Sequence, residues 1–338
     1  MRASVTTATF PGRPARVPRS LRSRPERSDR IFRWTATASG VTVLAVMTAV
    51  GLFLAVRAVE ALKIARVDFL TEDLWEPDAG RFGIAGVLLG TASVGAVALC
   101  FAIPLALGTA LFISEYAPRR LERTLITLVD LMAAVPSVVY GLWGAFFLQR
   151  HLWTVPQFMS QQLGWIPVFS VPGVDPDDPI ANATRYESSI FLAGMVVSLM
   201  ITPIMCSVMR EAFSQAPIGE REAALGLGAT RWGMVRTVVI PFGRGGIIGG
   251  TMLGLGRALG ETIAVYMILS GVVGIQTHIL ASGGDTVSAL IAQRYGDSTH
   301  LGISALMAAG LALFMVTLVV NFVAASIVAR SRSGAESG

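Results

Sequence analysis

Charge is what this sequence has least of. Charged residues fill 14% of its 338 positions, against roughly a quarter in an ordinary soluble domain, and that excludes a water-soluble globular fold. Lysine is rarer still: the 27 basic residues are all arginine except Lys63, which sits in ALKIAR. A P-loop needs its lysine within G-x-x-x-x-G-K-[ST], so the chain does not bind ATP in that way itself. The two cysteines, Cys100 and Cys206, lie in apolar runs; they are too few for a disulfide framework and read as small apolar packers. His151, His278 and His300 are scattered over the external connectors without metal-ligand spacing. No H-E-x-x-H occurs, and no nucleophile stands beside a base. No metal, cofactor or bond-making site is expected, and each histidine reads as a solvated loop residue.

Apolar residues are abundant instead, at 53%. A helix needs about 20 mostly apolar residues to cross a bilayer core. Six runs qualify, at about 36–56, 84–114, 124–148, 189–209, 245–274 and 302–329, and they predict an all-α polytopic membrane protein with six spans. The long connectors 57–83, 149–187 and 276–301 hold acids that include Asp68, Asp175, Asp177, Asp178, Asp285 and Asp297. The opposite connectors and the two ends hold nineteen basic residues against seven. The positive-inside rule then places both termini in the cytoplasm. Because the basic residues sit where topology demands them, nucleic acid is not an expected partner.

The first 35 residues are rich in Arg, Pro and Ser and too poor in apolar groups to pack. They predict a disordered cytoplasmic tail whose charge fixes orientation and meets anionic membrane lipid. A signal peptide is the competing reading, but Trp34–Val56 is long for one and no clear cleavage site follows. The first helix and an external connector take residues 36–83, and a short cytoplasmic tail takes 330–338. Asn182-Ala-Thr184 matches a glycosylation acceptor, a three-residue pattern that arises by chance. Pro104, Pro136 and Pro203 interrupt the second, third and fourth spans. Kinks there would let neighbouring helices splay around a pathway, although proline is also commoner in membrane helices than in soluble ones.

Three ionisable residues fall within the spans: Asp130, Arg257 and Glu261. A charge at mid-bilayer costs on the order of 2.5–3.5 kcal/mol, so each should face the bundle interior or water. Arg257 and Glu261 are four apart, which on one helix puts them on one face within reach of each other. Glycines at 250, 254, 256 and 260 would admit another backbone closely, and the arginine fork matches a tetrahedral oxyanion. Two readings stand: the pair neutralises itself and locks the helix, or an incoming anion competes for the arginine. Asp130 lies near the cytoplasmic end of its span, where an acid reaches the interface.

The connector 210–244 is too long for a turn between spans. It reads as a short amphipathic helix, Gly219 to Leu227, a glycine turn at Gly228 and a second helical stretch from Thr230, a place for something soluble to dock. Glu222-Ala223-Ala224, three residues, Gly228, nine residues and Val238-Val239-Ile240-Pro241 resemble the EAA loop of bacterial ABC-importer permeases. The departures are conservative, Val238 for isoleucine and Ile240 for leucine. The segment Ala133–Gly141 and the run Gly249–Thr262 resemble the phosphate-specific permeases, and the second resembles the PstC-type subunit more than its PstA-type sibling.

That resemblance covers residues 84–329 and implies a MetI-like permease domain in the bacterial inner membrane. It also implies a heterodimer with the PstA-like sibling permease, a PstB-like ATPase dimer below and an external phosphate-binding protein above. Glu222, Ala223, Ala224, Gly228 and Pro241 would then belong to the coupling element seated in the ATPase. Arg257, Glu261 and Asp130 would line the path of inorganic phosphate. Sulfate or molybdate are alternative solutes. An ion-coupled secondary transporter relaying protons through Asp130 and Glu261 is another reading, but it predicts inverted repeats, which are not seen. A reporting role in phosphate signalling would be an additional activity, with no separate domain to carry it.

Overall fold

A computed structural model describes residues 27–173 and 183–333. It divides into two units, residues 1–50 and 51–338. The described part of the first unit, residues 27–50, belongs to helix α1 (Arg27–Ala65). Its described side chains are exposed, as suits a run that faces lipid. The helix begins at Arg27, inside the stretch expected to be a disordered tail; residues 1–26 of that tail lie outside the described residues. The Asp175–Asp178 acids, Asn182 and residues 334–338 also lie outside them.

In the second unit, the last turns of α1 lead toward a two-residue hairpin, β1 (Trp75–Glu76) against β2 (Arg81–Phe82), with Trp75 opposite Phe82. Helix α2 (Ala85–Leu111) follows and ends in a π-helical turn, Phe112–Tyr116. Its stripe Val94, Ala98, Ala102, Ala106 and Ala110 is wholly buried, one small side chain every four residues. Small residues at that spacing let helices pack closely where lipid supplies no hydrophobic drive.

Helix α3 (Arg119–Ala134) and helix α4 (Ser137–Trp143) meet at Pro136, and the segments either side are bent by 86°. A π-turn, Gly144–Leu148, joins α4 to α5 (Gln149–Leu152), and α6 (Thr154–Leu163) follows. The third expected span is therefore a broken one. Tyr140 Oη donates to the Met132 carbonyl at 3.1 Å across the break, a carbonyl that also accepts from Val135 N–H at 3.3 Å. By contrast α2 and α7 (Ile190–Ser214) continue as helices through Pro104 and Pro203.

α7 is the central post of the main core, which gathers α2, α7, α10 and α11 side chains. After it come α8 (Ile218–Gly226), α9 (Arg231–Met234), a π-turn Val235–Val239 and α10 (Ile240–Leu259). From Arg231 to Leu259 this is one span of 29 residues. It starts before the expected limit of 245 and stops well before 274. α11 (Ile263–Ile268) and α12 (Val287–Arg294) are short, and α13 (His300–Ser333) is the last span. Among the described residues, five helices are long and apolar enough to cross a membrane, six with the bent pair counted as one. A second core joins Ala58, Ala61 and Ala65 of α1, Phe82, Val287 and the α13 residues Ala305–Ala309.

The smaller expectations divide. Cys206 is buried, as a packer should be, whereas Cys100 is exposed. The histidines are not simply solvated loop residues. His151 lies in α5 and its Nδ1 is 2.8 Å from the Phe147 carbonyl. His278 Nδ1 is 2.8 Å from the Pro167 carbonyl, and His300 Nδ1 is 3.1 Å from Glu60 Oε2.

Candidate functional site: an exposed short helix and a broken span

At one end of the unit, α8 stands on the bundle with half its surface free. Arg221 and Ala224 turn inward, while Glu222, Ala223 and Leu225 are exposed. Ile218, Leu225, Leu227 and Trp232 are large apolar groups left in the open, Leu227 at 90% exposure. The helix closes with two backbone bonds, Ala229 N–H to Ala224 O and Gly228 N–H to Leu225 O, 3.1 and 3.0 Å. This double closure puts Gly228 at φ +89°, a left-handed conformation in which a Cβ is strained, so the motif requires glycine there. Thr230 then caps the next helix, its Oγ1 accepting from Gly233 N–H at 3.1 Å. Pro241, which lacks an N–H, is the second residue of α10, one position past the π-turn Val235–Val239. The turn's longer register absorbs the interruption. The expected helix, glycine turn and second helix are therefore all present.

The second region lies midway along the bundle. Gly243, Gly246, Gly250 and Gly254 form one face of α10 against α7: a Cβ at Gly243 would overlap the Phe213 ring, one at Gly246 would overlap Ala212, and one at Gly254 would come 2.5 Å from Met205 Sδ. The partners fall in number as the glycines rise, so the helices are antiparallel. Arg257, one turn beyond Gly254, is thereby level with the middle of α7. Of the four glycines singled out from the sequence, 250 and 254 serve this close approach. Gly256 faces Asn321 instead, and Gly260 caps the helix end.

α10 stops there. With Leu259 its last residue, Glu261 is not on the same helix as Arg257, and the expected one-face pair is not formed. Among the described residues no ion pair joins them. Arg257 is exposed on the last turn of α10, where a cation opposes the negative end of the helix dipole. Glu261 is 9% exposed, and its Oε1 accepts from Ala264 N–H at 3.3 Å, capping α11. Its carbonyl accepts from Ser288 Oγ at 2.7 Å. Glycine and threonine on either side of Glu261 explain the local break: neither favours continuing a helix, and the Glu261 side chain satisfies the new N-terminus.

The two broken segments meet. A Cβ on Gly141 of α4 would lie 2.8 Å from Ala264 Cα, and Gln149 Nε2 donates to the Ile268 carbonyl at 2.7 Å. Thus the end of one segment that resembles phosphate permeases, 133–141, meets the chain just past the other, 249–262. Asp130 is exposed on α3, with Ser207 Oγ donating to its Oδ1 at 3.4 Å. It makes no bond to Arg257 or Glu261 among the described residues. Non-helical backbone at membrane depth is tolerated only where it is buried in protein or lines a watery cavity, so this junction is where a polar path fits.

Two groups escaped the sequence reading. Asp285 is 1% exposed; its Oδ1 accepts from Thr286 N–H at 2.7 Å, and its Oδ2 has no partner among the described residues. Burial, partly offset by that bond and by Arg294, pushes its carboxyl up to about 6. Glu115 and Arg221 form an ion pair of 3.1 Å. Glu115 falls one residue beyond the expected limit of the second span, and Arg221 one residue before the motif, so two adjacent boundaries hid a single contact.

Residues 102–333 match the family of binding-protein-dependent transport system inner membrane components. The phosphate transport system permease protein PstC 2 of Mycobacterium tuberculosis is 41% identical over 305 residues, 89% of this chain and 92% of its own length. PstC of Mesorhizobium japonicum is 35% identical over 312 residues, 91% of this chain and 93% of that one. This chain belongs to the PstC family of permeases. A crystal structure of a bacterial alginate ABC transporter, bound to its periplasmic protein, contains a chain that superposes with a TM-score of 0.55 at 18% identity. The superposition covers 88% of the permease and 94% of that chain. It shows that the permease has the MetI-like fold of ABC importers, while the family match and the relatives make it a multi-pass inner-membrane permease subunit.

Proposed function

We propose that the permease forms half of the pathway of an ATP-driven phosphate importer, facing a PstA-like sibling, with a PstB-like ATPase dimer seated on α8. The observation that carries this is the exposed apolar face of α8, Ile218, Leu225 and Leu227, set within the EAA motif of a chain that has no P-loop of its own. Arg119, Arg120, Arg123, Arg210, Arg231, Arg236 and Arg244 gather near that end, which supports its lying in the cytoplasm with both termini.

An external binding protein delivers inorganic phosphate between the two halves. Arg257, at mid-depth and without an ion-pair partner among the described residues, meets the anion through charge-assisted hydrogen bonds. Glu261 keeps the break in shape by capping α11, and Asp130 with Ser207 lines the half of the path toward α8. Glu222, Ala223 and Ala224 seat in the ATPase, while Gly228 and Pro241 set the turn and the helix that lead back into the bundle.

Proteoliposomes carrying the four-component complex test this. Phosphate should accumulate only with ATP and the binding protein, and Arg257→Ala should abolish accumulation without loss of membrane insertion. Uptake driven by a proton gradient without ATP would favour the secondary-transporter reading through Asp130 and Glu261. Accumulation of sulfate or molybdate in place of phosphate would reassign the solute.

A further inference from the structure

The further inference rests on that reading and concerns how a push on α8 enters the bundle. Only Gln215, Ala216 and Pro217 separate α8 from α7, a link that by itself would let α8 pivot. Beside the packing of Ala224 on the core, one side chain restrains that pivot. Arg221 Nη1 lies 3.1 Å from Glu115 Oε1 and 3.3 Å from Oε2, and Nη2 donates to the Phe213 carbonyl. Glu115 belongs to the π-turn that ends α2, and Phe213 to the last turn of α7. Three elements converge on one guanidinium.

The pair is part-buried, with Glu115 at 4% and Arg221 at 19% side-chain exposure. Taking two charges out of water offsets most of their attraction, so such a pair is a poor source of stability. What it supplies is a fixed geometry, because the planar fork holds two acceptors in defined directions. Phe213 in turn is fully buried and packs on Gly243 of α10. A displacement of α8 is thus handed to α2 and α7, which share the alanine stripe, and to the base of the helix that carries Arg257.

We propose that Arg221, held by Glu115, is the positioning residue that converts ATPase movement at α8 into movement of α2, α7 and α10. It touches neither solute nor nucleotide, and it lies outside the residues that define the EAA motif.

The test is the ratio of phosphate accumulated to ATP hydrolysed, read in the same proteoliposomes. In Arg221→Ala and in the isosteric Glu115→Gln, hydrolysis should continue while the ratio falls roughly 5-fold or more, the scale of an ordinary coupling free energy. Arg221→Lys, which keeps the charge but not the fork, should fall between. Exchanging the two residues, Arg221→Glu with Glu115→Arg, should recover part of the loss. A ratio equal to the parent's in Glu115→Gln and Arg221→Ala would overturn the proposal. So would uptake and hydrolysis that fall in equal proportion in an assembled complex. Failure of the parent complex to take up phosphate would instead overturn the functional reading on which the proposal rests.

Discussion

Two arginine–glutamate arrangements in this permease differ in whether the charges meet. At the α8 end, Arg221 and Glu115 are 106 residues apart in sequence and joined at 3.1 Å. At mid-bundle, Arg257 and Glu261 are four apart in sequence and not joined, because the helix ends between them. On the proposed reading, the joined pair spends its charge on geometry and transmits force, and the exposed Arg257, its nearby acid occupied in capping α11, keeps its charge for the anion. The comparison teaches that sequence proximity of opposite charges says little about pairing until the backbone between them is known.

The largest effect should come from the unjoined arginine. Arg257→Ala removes a charged partner of a desolvated anion, a change that typically costs about 2–5 kcal/mol. Phosphate uptake into vesicles should fall roughly 100-fold or more, with normal amounts of the complex in the membrane; parental uptake would strike Arg257 from the mechanism. Next, Gly254→Leu drives a side chain into Met205 and should destabilise the α7–α10 seam by about 1–3 kcal/mol. This would lower the melting temperature of the purified complex and displace Arg257 as well. An unchanged melting temperature would show that the seam yields more easily than its spacing implies.

Asp285 sharpens the comparison from a third side, as a buried acid with one oxygen unpartnered. Its carboxyl is raised from 3.8 to about 6 by burial, so its proton is held more tightly in the folded state than in the unfolded one. Stability from this group is fully present below about pH 4 and is lost as pH rises toward 6 and beyond. Asp285→Asn should remove that dependence and gain up to about 3 kcal/mol over the parent at neutral pH. Thermal unfolding of both forms at pH 5 and 7.5 checks it, and parallel pH profiles would refute it. The smallest effect belongs to Thr230→Ala, which deletes a single cap worth about 1 kcal/mol. It should shift the melting temperature slightly and leave uptake per ATP intact, because the ion pair, not the cap, fixes α8.

Much of this was legible in the residues. Runs of about 20 apolar side chains announced the spans, since the bilayer sets their length whatever their neighbours. Glu222 to Pro241 announced the short helix and its turn, because Gly228 and Thr230 act within their own few residues. Tertiary features were not so plain. The stop at Leu259 lies inside a run long enough to read as one span and goes with Glu261 capping α11 and with Ser288, which arrives from 27 residues away. The 86° bend at Pro136 could not be told from the unbroken passages through Pro104 and Pro203. The proline is the same in each, and the packing of Gly141 on Ala264 is not. The tie between Glu115 and Arg221 joins two elements that no local pattern connects.

One measurement bears most directly on the division of labour between the two arginines: the phosphate-to-ATP ratio of Arg221→Ala set beside that of Arg257→Lys, in matched proteoliposomes. The account predicts a lowered ratio in the first. In the second it predicts slower uptake and slower hydrolysis in step, with the ratio near the parent's. The same shift of the ratio in both variants, or a shift in Arg257→Lys alone, would contradict it.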